Sequence, residues 1–432
     1  MQKQIARSDL PISRLVVTWV LMIPLFYFAS QGTLWFQKAA ANNSADNGGF
    51  GRLAGAGSRE NIAIAMAVFA FALMPMSQKL RGLCKSAIKN KAISALVLLA
   101  MASCVWSQFP DASIKWSLCL AMNTLFAFYI YQRFDPGRQT KLMLLLGWIC
   151  LVTSYIAVLF FPQFGLNLSS AKGAWEGIYI QKNLCSIMTV FLLSAAFYDR
   201  TTTFLSKGLR ATYVCMSILF VLMTQSKTGL VLLSGLLVYV IVTRFAMSLR
   251  ARDKAVTIII GMTCFVIISV VGFLYSAEIS FFLGKDPTLT GRTGIWQSAV
   301  MSIMKRPVAG YGYMAFWRGL QGESANASLA NGWAVSSTHN GFLAIWLTLG
   351  ALGLGLVLYS LLKSLKNSLL CMRAGNSPHL NWYACIVFLT IIVSLDEEQM
   401  MVPNDLTWIL YILASVGLAE GARRIRLGSN HG

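Results

Sequence analysis

Charge is scarce in this sequence: Asp, Glu, Lys and Arg make up 12% of residues and apolar types 56%, against roughly 25% charged in a soluble domain. That excludes an ordinary soluble fold, which needs more polar surface than this chain supplies. Acids are the rarer sign, 16 Asp and Glu against 36 Lys and Arg, and the 3 histidines are His339, His379 and His431. With no Asp-x-Asp pair and no ligand spacing among these groups, the expectation is that no metal is bound. The 9 cysteines include no Cys-x-x-Cys pair. Cys104, Cys119, Cys150, Cys185, Cys215, Cys264 and Cys385 lie in apolar runs, so packing is their default role and no disulfide framework follows. The net charge of +20 is scattered beside apolar runs without an interleaved aromatic platform, which argues against nucleic acid as the partner.

What the sequence has instead is a series of apolar runs, near the ~20 residues that carry a helix across a bilayer. They fall at about 15–36, 61–76, 92–106, 114–131, 142–161, 183–198, 211–223, 229–242, 255–275, 341–362, 382–395 and 406–418. This predicts an all-α integral membrane protein with about twelve transmembrane helices, a single polytopic domain over 1–432 without internal repeat. The first run is too long for the apolar core of a cleaved signal and reads as a retained span. The short runs around Gln225 and Met400 leave re-entrant hairpins open as an alternative there. With the N-terminus cytoplasmic, two thirds of the 36 Lys and Arg fall in inner segments, as at Lys79–Lys91 and Arg244–Lys254, and most acids fall outside. That satisfies the positive-inside rule with both termini cytoplasmic, and sets the basic loops against anionic lipid.

Three outer segments exceed turn length. The first, 37–60, is rich in Asn, Gly, Ala and Ser and reads as a flexible lid or a plain linker. The second, 162–182, runs into the sixth span through WEGIYIQKN (175–183) and carries Glu176. The third, 276–339, lies between the ninth and tenth spans and holds GRTGIWQ, PVAGYGYMAFWRG and STHNG. Because the spans are nearly bare of charge, Arg292, Arg318 and His339 stand out, and 276–339 is the candidate catalytic loop.

Within that loop, 290–306 reads as a short helix. Thr290 or Thr293 can cap it, Trp296, Val300, Ile303 and Met304 fall on one stripe, and Pro307 follows its end. Arg292 then sits at a helix N-terminus, where free N–H groups and the dipole attract an anionic oxygen and a guanidinium can bind phosphate through two bonds. An arginine paired at the membrane rim is the alternative. Lys182–Asn183, Lys227–Thr228 and Thr338–His339–Asn340 likewise open the sixth, eighth and tenth spans on the outer side. Packed together, these starts form a cationic cluster suited to a pyrophosphate; singly, each Lys is more often an interfacial anchor. His339 is the histidine placed outside. A helix N-terminus favours its neutral form, the one a general base needs; capping or packing is its other reading. Asp396, Glu397 and Glu398 form an acidic outer turn that can draw a cation, with Glu176 and Glu397 in reserve as proton acceptors.

The motifs GIYIQKN (177–183), SKTG (226–229), LTGRTGIW (289–296), PVAGYGYMAFW (307–317) and HNGFLAIWLTLGALG (339–353) stand in that order. Together they resemble the O-antigen ligase/polymerase superfamily, and look most like its exopolysaccharide polymerases of the ExoQ type. The resemblance implies a GT-C-like glycosyltransferase of the bacterial inner membrane, metal-independent and inverting, with its active site facing the periplasm. Such an enzyme joins undecaprenyl-diphosphate-linked oligosaccharide repeat units to a glycan acceptor without any cofactor, alongside polysaccharide export and chain-length proteins. By motif, Arg292 corresponds to the loop arginine that grips the diphosphate and His339 to the histidine that activates the acceptor. Lys227, Lys182, Arg318, Asn340, Asn183, Trp296 and Glu176 are expected to bind substrate. Lys227 stands where ligases of the superfamily often carry arginine, which replaces a two-bond contact by a point charge. Trp296, Tyr311, Tyr313, Phe316, Trp317 and Trp333 offer flat faces to sugar rings, or anchor the chain at the interface. Two alternatives remain: an O-antigen ligase transferring glycan to lipid A core, and a lipid-linked sugar flippase. The flippase is disfavoured because transporters place ionisable groups inside their spans.

Overall fold

The computed structural model of the protein describes residues 11–31, 59–77, 79–167, 173–199, 204–274, 292–375 and 377–428. Helices α1 (Pro11–Ala29) and α2 (Arg59–Ser77) are followed by α3 (Leu80–Lys89), α4 (Lys91–Ala102), α5 (Pro110–Arg133) and α6 (Pro136–Phe160). After the single turn α7 (Pro162–Gly165), β1 (Leu166–Asn167) and β2 (Ala174–Trp175) pair antiparallel, Leu166 opposite Trp175. The chain continues as α8 (Lys182–Tyr198), α9 (Phe204–Met223), α10 (Lys227–Ala246) and α11 (Ala251–Leu274). Two shorter helices, α12 (Arg292–Lys305) and α13 (Ser324–Asn331), precede α14 (Gly341–Ala374), α15 (Pro378–Asp396) and α16 (Leu406–Gly428).

Within the described residues every apolar run falls largely on a helix, yet fewer than twelve meet the length and composition of a span. Among the described residues, Pro110–Arg133, Pro136–Phe160, Ser206–Met223, Lys227–Ala246, Gly341–Ala374 and Pro378–Asp396 do so, and the bent pair Ala63–Ser77 with Leu80–Lys89 adds one if counted together. Thr18–Ala29, Lys91–Val105 and Lys182–Tyr198 are apolar but shorter. A run measures only hydrophobicity, whereas a helix such as α8, with 17 residues, rises only about 26 Å at ~1.5 Å per residue. The chain is therefore a multi-pass helical membrane protein, with six or seven spans on these criteria among the described residues. The expected lid or linker lies almost entirely outside the described residues, as do 275–291 at the start of the third outer segment.

Burial orders the helices from centre to lipid. Within its span window α15 is 72% buried and α9 only 22%, so α15 forms the middle of the bundle and α9 its flank. Polar pairs tie the central helices where hydrocarbon leaves few other partners. Trp382 Nε1 donates to Ser194 Oγ at 3.0 Å, Trp408 Nε1 to Thr124 Oγ1 at 3.0 Å and Tyr383 OH to Gln139 Oε1 at 2.7 Å.

One helix is broken by design of its sequence. At Gly350 α14 turns to φ 67 and ψ −169, a conformation L side chains avoid, and the break strands backbone groups that hydrocarbon cannot satisfy. The PVAGYGY segment satisfies them. Tyr311 N donates to Leu347 O at 3.0 Å and Gly312 N to Thr348 O at 2.9 Å, while Ala351 N reaches Pro307 O at 2.8 Å. A Cβ at Gly350 would run into the Val308 carbonyl, so this motif is the matching half of a broken helix. Gly350→Ala should cost on the order of 1–3 kcal/mol of stability from the strained dihedral alone, read as a lower melting temperature in detergent. Gly355→Ala, where a Cβ meets open space, is the control and should not lower it.

Candidate active site

Four helix starts and one helix end converge on the outer side expected from charge. The centre is a carboxylate. Glu397, fully buried, closes α15 and places Oε2 3.1 Å from His339 Nδ1 and Oε1 3.4 Å from Arg292 Nη2. Asn183 Nδ2, from the start of α8, donates to the same Oε1 at 2.8 Å. The neighbouring Asp396 pairs with Arg292 Nη1 and accepts from the Thr228 hydroxyl at the start of α10. Glu398 Oε1 accepts from Thr338 Oγ1 at 2.6 Å and from the Thr338 amide.

Local sequence explains how each group is held. Asn340 caps α14, its Oδ1 accepting from Phe342 N at 3.1 Å and Leu343 N at 3.0 Å, while its Nδ2 donates to Leu395 O at 3.1 Å. Ser226 caps α10, its Oγ accepting from Gly229 N at 3.1 Å while its hydroxyl donates to Asn183 Oδ1 at 2.8 Å. Trp296 Nε1 donates to Thr338 O at 2.9 Å. His339 therefore stands one residue before the cap of the helix rather than within it, at φ 47. Histidine is among the non-glycine residues that tolerate this left-handed region, and such conformations cluster at functional sites. An ionised carboxylate only accepts hydrogen bonds, so a neutral imidazole beside Glu397 carries its proton on Nδ1 and keeps the lone pair on Nε2.

The expected cationic cluster is thus corrected. The helix starts do come together, but at the end of α15 Asp396 and Glu397 pair with Arg292 and Glu398 takes the Thr338 hydroxyl and amide, so the site is an ion-paired network. The signal was available in the sequence. An acidic triplet at a helix C-terminus opposes the dipole and calls for cationic or hydrogen-bonding partners. Thr228 and Thr338 were marked only as helix starts, and nothing in the sequence paired them with the acids.

Arg292, His339, Asn183, Asn340 and Trp296 are brought together in this network. Lys182 and Lys227 adjoin it through their chain neighbours Asn183 and Thr228, with Lys227 exposed. Glu176 is buried on the β1–β2 hairpin, where Oε1 accepts from Asn167 Nδ2 at 2.9 Å. Arg318 lies over the Phe109 ring at 5.4 Å, and burial pulls its guanidinium below the ordinary arginine value.

The stripe expected on α12 is also corrected. Ile295, Ala299 and Ile303 are buried, whereas Val300 and Met304 are 40% and 60% exposed, because small residues at 298, 299 and 302 let that side of the helix approach its neighbours. Tyr311, Tyr313 and Phe316 are buried too. Tyr311 and Phe316 pack edge-to-face at 5.0 Å, so these three rings serve packing. Trp296, Trp317 and Trp333 keep accessible faces. Trp317 and Glu398 share the wall of a small cavity of about 70 Å³. Among the described residues no three His, Cys, Asp or Glu side chains converge as a metal ligand set.

This geometry defines a multi-pass membrane protein with a partly buried Arg–carboxylate–His network at one end of its bundle. Residues 211–358 match the O-antigen ligase family, a stretch that includes Ser226, Arg292, His339 and the broken helix. Over 319 residues, 70% of this chain and 72% of the relative, the sequence is 23% identical to the exopolysaccharide production protein ExoQ of Rhizobium meliloti (strain 1021). The two matches support the O-antigen ligase/polymerase superfamily with an ExoQ-like character, as the ordered motifs indicate.

Proposed function

We propose that the protein is a GT-C-like glycosyltransferase that polymerises undecaprenyl-diphosphate-linked oligosaccharide repeat units on the periplasmic face of the inner membrane. The observation that carries this reading is the Arg292–Glu397–His339 chain. It sets a phosphate-binding group and a proton acceptor on opposite oxygens of one buried carboxylate. A lipid diphosphate is already an activated leaving group, so the reaction needs charge where the pyrophosphate departs, a base at the incoming hydroxyl, and positioning. In this scheme His339 Nε2 takes the acceptor proton as the hydroxyl oxygen attacks the anomeric carbon. The anomeric C–O bond to phosphate breaks, and the bonding pair leaves on the diphosphate with inversion. Asp396 and Glu397 each engage one terminal nitrogen of Arg292, and the remaining N–H donors of its fork are left for the diphosphate. Trp317 and Trp333 supply faces for sugar rings, and no cofactor or metal takes part.

The experiment is transfer in detergent, where no sealed compartment exists. Purified protein given a lipid-linked repeat unit should yield lipid-linked dimers and longer chains; a flippase would form no new glycosidic bond. Supplying lipid A core beside the lipid-linked donor separates ligase from polymerase, since a ligase would extend only the core. The ExoQ-like relative favours the polymerase.

A further inference from the structure

The candidate site occupies the starts of α8 and α10, and a second charged feature occupies their far ends. With helices of 17 and 20 residues, the two lie roughly 25–30 Å apart at ~1.5 Å rise per residue, about the thickness of a bilayer core. There an open cleft of about 440 Å³ is walled by Phe197 and Val214 and edged by Lys207, Arg210, Arg244 and Asp199. Three cations face one acid. Lys207 lies in the first turn of α9, where the helix dipole disfavours a cation. Its place therefore is not explained by helix stability, and the lysine and the positive helix end both attract an anion.

Asp199 adds a second, independent observation. Only 6% of it is exposed, Arg210 Nη1 donates to its backbone carbonyl at 2.6 Å, and among the described residues its carboxylate Oδ2 has no hydrogen-bond partner. A buried acceptor left unmade is costly, so the cleft suits a ligand that brings both a negative group and a donor. Phe245 and Ile241 on α10 are 61% and 65% exposed close to this end, an apolar surface of the kind acyl chains cover. We infer that this cleft binds the phosphodiester headgroup of an anionic phospholipid, with Lys207, Arg210 and Arg244 on the phosphate and a headgroup hydroxyl donating to Asp199. Phosphatidylglycerol has this chemistry, and basic pockets between membrane helices are a recurrent form of lipid recognition.

Native mass spectrometry of the full chain in neutral detergent tests it. Phosphatidylglycerol should be retained over phosphatidylcholine, whose headgroup has no donor, and Asp199→Ala, which removes the acceptor, should narrow that preference. The double variant Lys207→Gln, Arg244→Gln changes exposed residues that do not threaten folding. It should weaken phosphatidylglycerol binding on the order of tenfold, the scale of two charged contacts at a membrane surface. Arg250→Gln with Lys254→Gln, outside the cleft, controls for loop charge. Equal loss in that control, or unchanged retention in the double variant, would overturn the assignment. So would complete displacement of the lipid by millimolar inorganic phosphate, which would mark a free-anion site.

Discussion

His339→Ala should abolish measurable polymer. As the proposed general base His339 should contribute roughly 10²–10⁴ in rate, while the cap of α14 is supplied by Asn340, so insertion and donor binding should survive. His339→Gln separates base from spacer. A glutamine amide can hold a hydrogen bond to the acceptor or to Glu397 but takes up no proton at neutral pH, so the variant should be nearly as inactive as alanine. Single-turnover assays on protein matched for thermal stability provide the reading, and substantial activity in His339→Gln would remove the base role. Glu397→Gln should lower the rate through His339 while leaving a side chain of the same size. Its signature is a larger fall in kcat than in donor affinity, because Glu397 orients the ring and does not itself meet the acceptor.

Arg292→Ala should lower turnover by roughly 10²–10³, the scale for losing one preorganised charge-stabilising donor. Two effects contribute and they can be told apart. The first is loss of the group that meets the departing diphosphate. The second is structural, because Asp396 and the fully buried Glu397 lose their cation, and an uncompensated buried carboxylate is itself destabilising. Arg292→Lys restores charge without the planar fork. It should recover stability more fully than turnover. A melting temperature near that of the parent with turnover still depressed identifies the phosphate role; full recovery of both would mean that Arg292 only neutralises the acidic turn.

The sequence by itself determined the class and marked most of the residues that meet in the network. Apolar runs, bare spans and basic loops define a multi-pass helical protein because hydrocarbon solvates neither charges nor open backbone. In a chain this poor in charge, polar residues at helix starts draw attention, which is how Arg292, His339, Asn183 and Asn340 were legible. Their sign and order were not. Glu397 lies far along the chain from His339 and Arg292, and only the packing of α15 against the starts of α8, α10 and α14 makes it their common partner. Burial also sorted the aromatics, since Tyr313 inside the bundle and Trp333 outside it are both simply large rings in a polar loop to the sequence. Gly350 likewise reads as an ordinary small residue in an apolar helix until PVAGYGY is seen to supply the hydrogen bonds of the break. Composition and period are local quantities that one strand of sequence carries, whereas a buried ion pair or a shared hydrogen bond exists only once distant segments have excluded solvent between them.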